Sequence, residues 1–128
     1  MLRNAICLAS LVALFAASTA AQEYPDQPIR LIVPFAAGGT TDLTGRIMAE
    51  QLGAELGSQV IVENIDGAGG TVGAEAGARA RPDGYTLILH VASTSAINPF
   101  LYPNNSIDMR EDFDPISLMT RAPLILLA

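Results

Sequence analysis

A stretch rich in glycine and threonine, residues 38–41 within LIVPFAAGGTTD, offers polar groups that could bind a ligand. Gly38 and Gly39 come just before a predicted helix, whose first amide N–H groups have no acceptor inside the helix. The helix dipole adds partial positive charge there, so this loop can bind an anion without a basic side chain. The hydroxyls of Thr40 and Thr41 add further donors. We expect the ligand to be a small anion such as a carboxylate, because it must approach bare backbone closely.

The charge balance and the absent motifs narrow the class of ligand. The chain of 128 residues has seven basic and thirteen acidic residues, for a formal net charge of −6. All the basic residues are arginines, so no lysine is available for a GxxxxGK[ST] phosphate loop, and no GxGxxG motif is present. An acidic chain is a poor partner for nucleic acid. Taken alone, a Gly-Gly pair before a helix is more often just a tight turn.

Two further loops could take part in the same site. The run IDGAGGTVG, residues 65–73, places a second glycine-rich turn before a second predicted helix. The run VASTSAINPF, residues 91–100, follows a strand that ends at His90, and it is predicted to be a polar loop. Two glycine-rich loops at one edge are harder to explain as plain turns than one.

His90 lies close to Ser93, Thr94 and Ser95, which raises the question of a hydrolase. No GxSxG motif surrounds any serine and His90 is the sole histidine, so we expect it to hydrogen-bond backbone at a strand end. Its isolation also argues against a metal site. We therefore expect no cofactor and no enzymatic activity. The alternative is a secreted enzyme on the same sheet, with His90 or Asp42 as the general base.

The acidic residues have structural interpretations. Asp42 could cap the helix, hold the loop in shape or accept a hydrogen bond from an ammonium group. A carboxylate ligand would be repelled by it, which favours the cap. Near the end of the chain an acidic cluster lacks the glycine turn of an EF-hand and is predicted to be a solvated loop. The cluster consists of Asp108, Glu111, Asp112 and Asp114.

The elements that position these loops are predicted from the hydrophobic pattern. Strands are predicted at 28–35, 59–64, 85–90, 112–119 and 122–128, and helices at 41–56 and 71–80. The alternation of strand and helix indicates a parallel sheet with right-handed crossovers. Ligands bind such sheets beyond the carboxyl ends of the strands. All three loops, 34–42, 64–71 and 90–98, are therefore expected at one edge.

The first predicted helix carries its own start and stop signals. Thr41 or Asp42 is the expected N-cap, and Gly57 is the expected C-terminal stop. Arg46 and Glu50 are expected to pair at i,i+4 on the solvent side. The apolar residues at helical spacing are Leu43, Ile47, Met48, Leu52 and Leu56.

The two ends of the chain differ from its middle. Residues 1–21 combine one arginine, a small and apolar run and a cleavage position after Ala20 or Ala21, which is typical of a secretory signal peptide. Cys7 lies inside it, so the mature chain has no thiol, which suits the bacterial periplasm. The final apolar run, 122–128, has no cap or polar tail, which favours an N-terminal fragment of a longer protein. The alternatives are a docked last strand and a non-functional truncated product.

Three segments together resemble a known family. YPDQPIRLIVPFAAGGTTDLTGRIMAEQL, VIVENIDGAGGTVGAEAGARARPDGYTLIL and INPFLYP followed by DFDPISLM are similar to the substrate-binding proteins of tripartite tricarboxylate transporters, the Bug family. The resemblance covers nearly all of residues 24–128. Family members commonly carry proline where Ala36 or Ala37 stands, and a bulkier or glycine-rich pattern at His90 and Val91. These differences could tune the ligand.

The resemblance implies an α/β fold of the periplasmic binding protein type II kind, in which two domains close on a ligand like a Venus flytrap. Residues 22–112 would form the first domain, and residues 113–128 would begin the crossover to a second domain that is largely absent. The implied ligand is a small organic acid such as a di- or tricarboxylate, held by backbone amides and ordered waters and passed to membrane transporter subunits. The implied ligand-binding residues are Phe35, Ala36, Ala37, Gly38, Gly39, Thr40, Thr41 and Asp42 in the first loop; Asn64, Gly67, Gly69, Gly70 and Thr71 in the second; and His90, Ala92, Ser93, Thr94 and Ser95 in the third.

Overall fold

A computed structural model describes residues 23–102 and 107–121. Three strands, β1 (Ile29–Val33), β2 (Val60–Asn64) and β3 (Thr86–Ile88), form a sheet of order β2-β1-β3 in which both pairings are parallel. Helix α1 (Thr40–Leu56) links β1 to β2, and a 3-10 turn (Ala68–Gly70) with helix α2 (Thr71–Ala78) links β2 to β3. Two short helices follow β3, α3 (Ala92–Ala96) and α4 (Asn98–Leu101). The predicted parallel α/β sheet is confirmed.

The central strand β1 forms the middle of the core. Ile29, Ile32 and Val33 are almost fully buried, because neighbours cover both faces of the strand. Leu31 pairs with Val62 on one side and with Leu87 on the other. Burial on both faces explains why the sequence of β1 is a continuous apolar run and not an alternating one.

Helix α1 packs on the sheet through its small residues. A Cβ atom on Gly45 would lie 2.7 Å from the Val33 Cγ2 atom, and Ala49 is buried beside it. Leu43 and Ile47, two of the apolar residues at helical spacing, are 61% and 57% exposed, so they do not belong to the face that packs on the sheet. The close approach of helix to sheet selects glycine and alanine, whereas the hydrophobic pattern gives most weight to bulky residues.

Of the two predicted ends of α1, only the C-terminal one is confirmed. Gly57 closes the helix in the left-handed region at φ +63°, with its N–H donating to the Gly53 carbonyl, which confirms the predicted stop. The helix begins at Thr40 after Gly39 as N-cap, so the prediction of Thr41 or Asp42 as the cap is wrong.

The part of the chain after β3 differs from the prediction. The segment 91–100 contains the two short helices α3 and α4 where a loop was expected. The predicted strand at 112–119 is wrong, because this segment packs by side chains without joining the sheet: Phe113 lies edge-on to His90, and Met119 packs against the core. The predicted signal peptide and the predicted strand at 122–128 lie outside the described residues.

The acidic cluster near the end of the chain lies on the surface. All four members of the acidic cluster are exposed, as predicted, and the Asp112 carboxylate accepts the Asp108 N–H at 2.9 Å. Among the helices of residues 23–102 and 107–121, none is long and apolar enough to cross a membrane.

Candidate functional site

The first loop leaves β1 through a buried Pro34 and then becomes exposed from Ala36 to Thr40. Gly38 has φ +87°, a conformation that favours glycine. The first amides of α1, beginning at Thr40, point away from the helix body and have no acceptor within it. An exposed helix N-terminus with bare backbone before it is therefore present, as the sequence indicated.

Asp42 holds this loop in shape from inside the molecule. Asp42 is buried, and Oδ2 of its carboxylate accepts the Gly38 N–H at 2.8 Å. Asn64, at the end of β2, donates from Nδ2 to Asp42 Oδ1 at 2.9 Å and to the Phe35 carbonyl at 3.0 Å. The carboxylate and the carboxamide therefore tie the first loop to the ends of α1 and β2.

Arg46 completes the network around Asp42. Its Nε donates to Asp42 Oδ2 at 3.0 Å, and its Nη2 donates to Asn64 Oδ1 at 3.2 Å. The expected partner, Glu50, is not the one that it uses. The Arg46 hydrogen bond, followed by those from Gly38 and Asn64, lowers the pKa of Asp42 to about 2. Asp42 is therefore a carboxylate at any physiological pH, and the guanidinium balances its charge.

The second loop is pinned by buried polar side chains that come from the third. Asn98 donates from Nδ2 to the Gly69 carbonyl at 2.9 Å and to Thr71 Oγ1 at 3.1 Å. Thr94 donates from Oγ1 to the same Gly69 carbonyl at 3.2 Å. Asn98 and Thr94 are buried, and the bond from Asn98 to Thr71 is buried with them, whereas the two bonds to the carbonyl of the exposed Gly69 are partly buried. The second and third loops therefore form one unit.

All three loops meet at Gly70. A Cβ atom there would lie 2.8 Å from Thr94 Oγ1, 3.2 Å from the Phe35 ring and 3.4 Å from the Pro34 carbonyl oxygen. Gly70 also has φ +94°. The prediction that the three loops crowd one edge of the sheet is confirmed. This meeting point leaves Ala36, Ala37, Gly38, Gly39, Thr40, Gly69, Ala92 and Ser93 exposed around it.

His90 does not behave as predicted. Its two ring nitrogens are buried, and neither has a hydrogen-bond partner among the described residues, so the expected bond to backbone is wrong. The ring contacts Phe113 edge-on, with centroids 5.1 Å apart. Burial lowers the pKa of His90 from 6.5 to about 4, so the imidazole is neutral at pH 7.

The hydroxyls near His90 are used for structure. Ser95 donates to the Val91 carbonyl at 3.3 Å, and Thr94 donates to the second loop. No histidine–serine hydrogen bond joins them within residues 23–102 and 107–121. In the same part of the chain, no group of three or more histidine, cysteine or acidic residues is placed to hold a metal ion.

Arg46 and Asn98 are the residues of this region that the sequence did not single out for the site. Arg46 was assigned to the solvent side of a helix, and its contact with Asn64 joins elements 18 residues apart. Asn98 lies in the third predicted loop, 90–98, which was expected at the same edge as 64–71, but nothing in the pattern selects it as the residue that bonds Gly69 and Thr71. Both contacts are between distant parts of the chain, which local periodicity does not report.

Comparison with known proteins identifies the family to which this fold belongs. Residues 44–128 match the family described as the tripartite tricarboxylate transporter family receptor. Protein BugT of Bordetella pertussis is 42% identical over 112 residues, which are 87% of this chain and 34% of that protein. The chain thus spans about a third of the length of this curated relative.

Two similar proteins have been solved with a small acid. MatC from Rhodopseudomonas palustris with bound malate is 36% identical, with a TM-score of 0.72 over 75% of this chain and 33% of that one. A second R. palustris protein, with adipate, is also 36% identical, with a TM-score of 0.51 over 52% of this chain and 22% of that one. Over the covered parts of the chain, the fold is therefore shared with one protein that has bound malate and with another that was solved with adipate.

Proposed function

This chain belongs to the tripartite tricarboxylate transporter receptor family, and from that premise we propose that it captures a small organic acid in the periplasm for transport. Members of the family are solute-binding receptors. The proposal extends to a di- or tricarboxylate as ligand, to export through the N-terminal signal peptide and to delivery to membrane subunits of a tripartite transporter. Similarity to proteins with bound malate and adipate supports the ligand class.

The exposed first loop at the start of α1 is the observation that carries the proposal. Its amides lie at the positive end of a 17-residue helix and at the edge where the three loops meet. A carboxylate oxygen there would accept hydrogen bonds from N–H groups that otherwise donate to water. Charge-assisted hydrogen bonds of this kind contribute about 1.5–3 kcal/mol each. Two or three of them would hold one end of a ligand without any covalent chemistry.

The chemistry of the loop also limits what it can recognise. Backbone amides and the hydroxyls of Thr40 and Thr41 bind a carboxylate whatever is attached to it. The identity of the acid must be read by groups at the far end of the ligand. The first loop is accordingly the common part of the site, and it would accept several small acids with similar affinity.

Saturation-transfer NMR on the chain, with L-malate, adipate and citrate as probes, tests the proposal. Dimethyl malate serves as the matched control, because it keeps the carbon skeleton but has no carboxylate. We expect saturable binding of at least one of the acids and none of the diester. Equal signals from malate and its diester, or no saturable signal from any of the acids, would contradict the proposal.

A further inference from the structure

A charged pair lies directly beneath the first loop. The Asp42 side chain is 5% exposed, and its carboxylate accepts the N–H of Gly38, one residue before the N-cap of α1. A negative charge held so close to the helix N-terminus opposes the partial positive charge of the helix. Left unbalanced, it would repel an anionic ligand from the amides next to it.

Arg46 supplies the balancing charge. Its guanidinium is bonded to Asp42 Oδ2 at 3.0 Å, while the side chain remains 53% exposed. Asn64, the other side chain bonded to Asp42, is neutral. Among the ion pairs of residues 23–102 and 107–121, this is the one that touches the first loop. The nearby pair of Arg30 and Glu63 is balanced within itself.

We propose that Arg46 determines the charge selectivity of the first loop, because it neutralises Asp42 and so allows a carboxylate to bind the adjacent amides. Arg46 acts through Asp42 and need not touch the ligand. Its loss would turn the loop from an anion site into one that disfavours anions. This inference rests on the proposed function and names the residue that sets its preference for acids.

A pair of variants separates this role from a purely structural one. Arg46→Gln keeps amide hydrogen-bond donors but removes the charge, and we expect the Kd for L-malate to rise about ten-fold. The double variant Arg46→Gln with Asp42→Asn also removes the carboxylate and should bring the Kd back to within about three-fold of the original. A second substitution would not rescue a loss caused only by damaged packing.

Two further variants serve as controls. Arg79→Gln removes the arginine of another i,i+4 pair, with Glu75 on α2, and changes the net charge by the same amount. We expect it to leave the Kd unchanged. Arg46→Lys keeps the positive charge and should bind L-malate within about two-fold. Urea unfolding of every variant shows which of them are folded during the binding measurement.

The outcomes are distinct. If the unsubstituted chain does not bind L-malate or another of the acids, the proposed function fails and this inference falls with it. If the unsubstituted chain binds but Arg46→Gln binds equally well, or the double variant stays as weak as the single one, only the inference is overturned. If Arg46→Gln does not fold, Arg46→Met takes its place, since it also removes the charge and keeps a long side chain, and the same ten-fold rise in Kd is expected.

Discussion

The meeting of three loops at Gly70 can be tested by adding a single methyl group. Gly70 and Gly38 have similar positive φ angles, +94° and +87°. A Cβ atom on Gly38 has no atom within 4 Å, whereas one on Gly70 lies 2.8 Å from Thr94 Oγ1 and 3.2 Å from the Phe35 ring. Gly38→Ala is therefore a matched control for Gly70→Ala.

The two variants should differ by the cost of the steric contact. Both place an alanine in the left-handed region, which costs about 1–2 kcal/mol. Gly70→Ala must also push Thr94 away from the Gly69 carbonyl or shift the Phe35 ring, and overpacking of this kind costs about 1–3 kcal/mol more. We expect the free energy of unfolding to fall by about 1 kcal/mol for Gly38→Ala and by about 3 kcal/mol for Gly70→Ala.

Urea unfolding followed by circular dichroism measures both free energies of unfolding. We expect the two variants to have the same slope of free energy against urea concentration. Unfolding of Gly70→Ala at a urea midpoint equal to that of Gly38→Ala would refute the arrangement, because it would mean that Phe35 and Thr94 do not approach Gly70 as described. A change in slope instead of the midpoint would indicate a change in the unfolded state. The amide exchange rates of residues 69–71 would then measure the effect on the folded state.

Three other predictions concern Gly39, His90 and Asn98. Gly39 has φ −79°, within the range of proline, so Gly39→Pro should remove one N–H and weaken L-malate binding about ten-fold, while Gly39→Ala keeps that N–H and should bind normally in an NMR titration. The pKa of His90 lies below its unfolded value, so its contribution to stability is complete above pH 6.5 and is lost as the pH falls towards 4. Urea unfolding should show a lower free energy of unfolding at pH 4 than at pH 7, and this His90-dependent part of the loss should be absent in His90→Phe. Asn98→Ala should lower the free energy of unfolding by about 2 kcal/mol and speed amide exchange in the second loop. Unchanged exchange rates would contradict the role of Asn98 in fixing that loop.

The sheet was predictable because its signals are local. The apolar run of β1, the helical spacing after it and the turn residues at Gly57 each depend on a few neighbouring residues. The position of the loops then followed from the rule for parallel sheets, and their meeting at Gly70 agrees with it. The family resemblance added the fold class, which the comparisons confirm.

The failures have a common physical cause. The face of α1 that meets the sheet is set by how closely Gly45 can approach Val33, which hydrophobicity does not encode. Arg46 is four residues from both Asp42 and Glu50, so helical spacing allowed either pair. The structure uses Asp42, which is buried and already accepts hydrogen bonds from Gly38 and Asn64. The packing of Gly45 and the choice between the two acids depend on tertiary contacts, which a pattern along the chain does not report.

The binding residues predicted for the first loop remain predictions, and one measurement tests them most directly. A ¹H–¹⁵N correlation spectrum of the chain, recorded during a titration with L-malate, reports on each backbone amide separately. We predict saturable shifts centred on Gly39, Thr40 and Thr41, with the amide of Gly57 at the opposite end of α1 unchanged. Saturable shifts that leave the first loop unaffected and lie elsewhere would contradict the account.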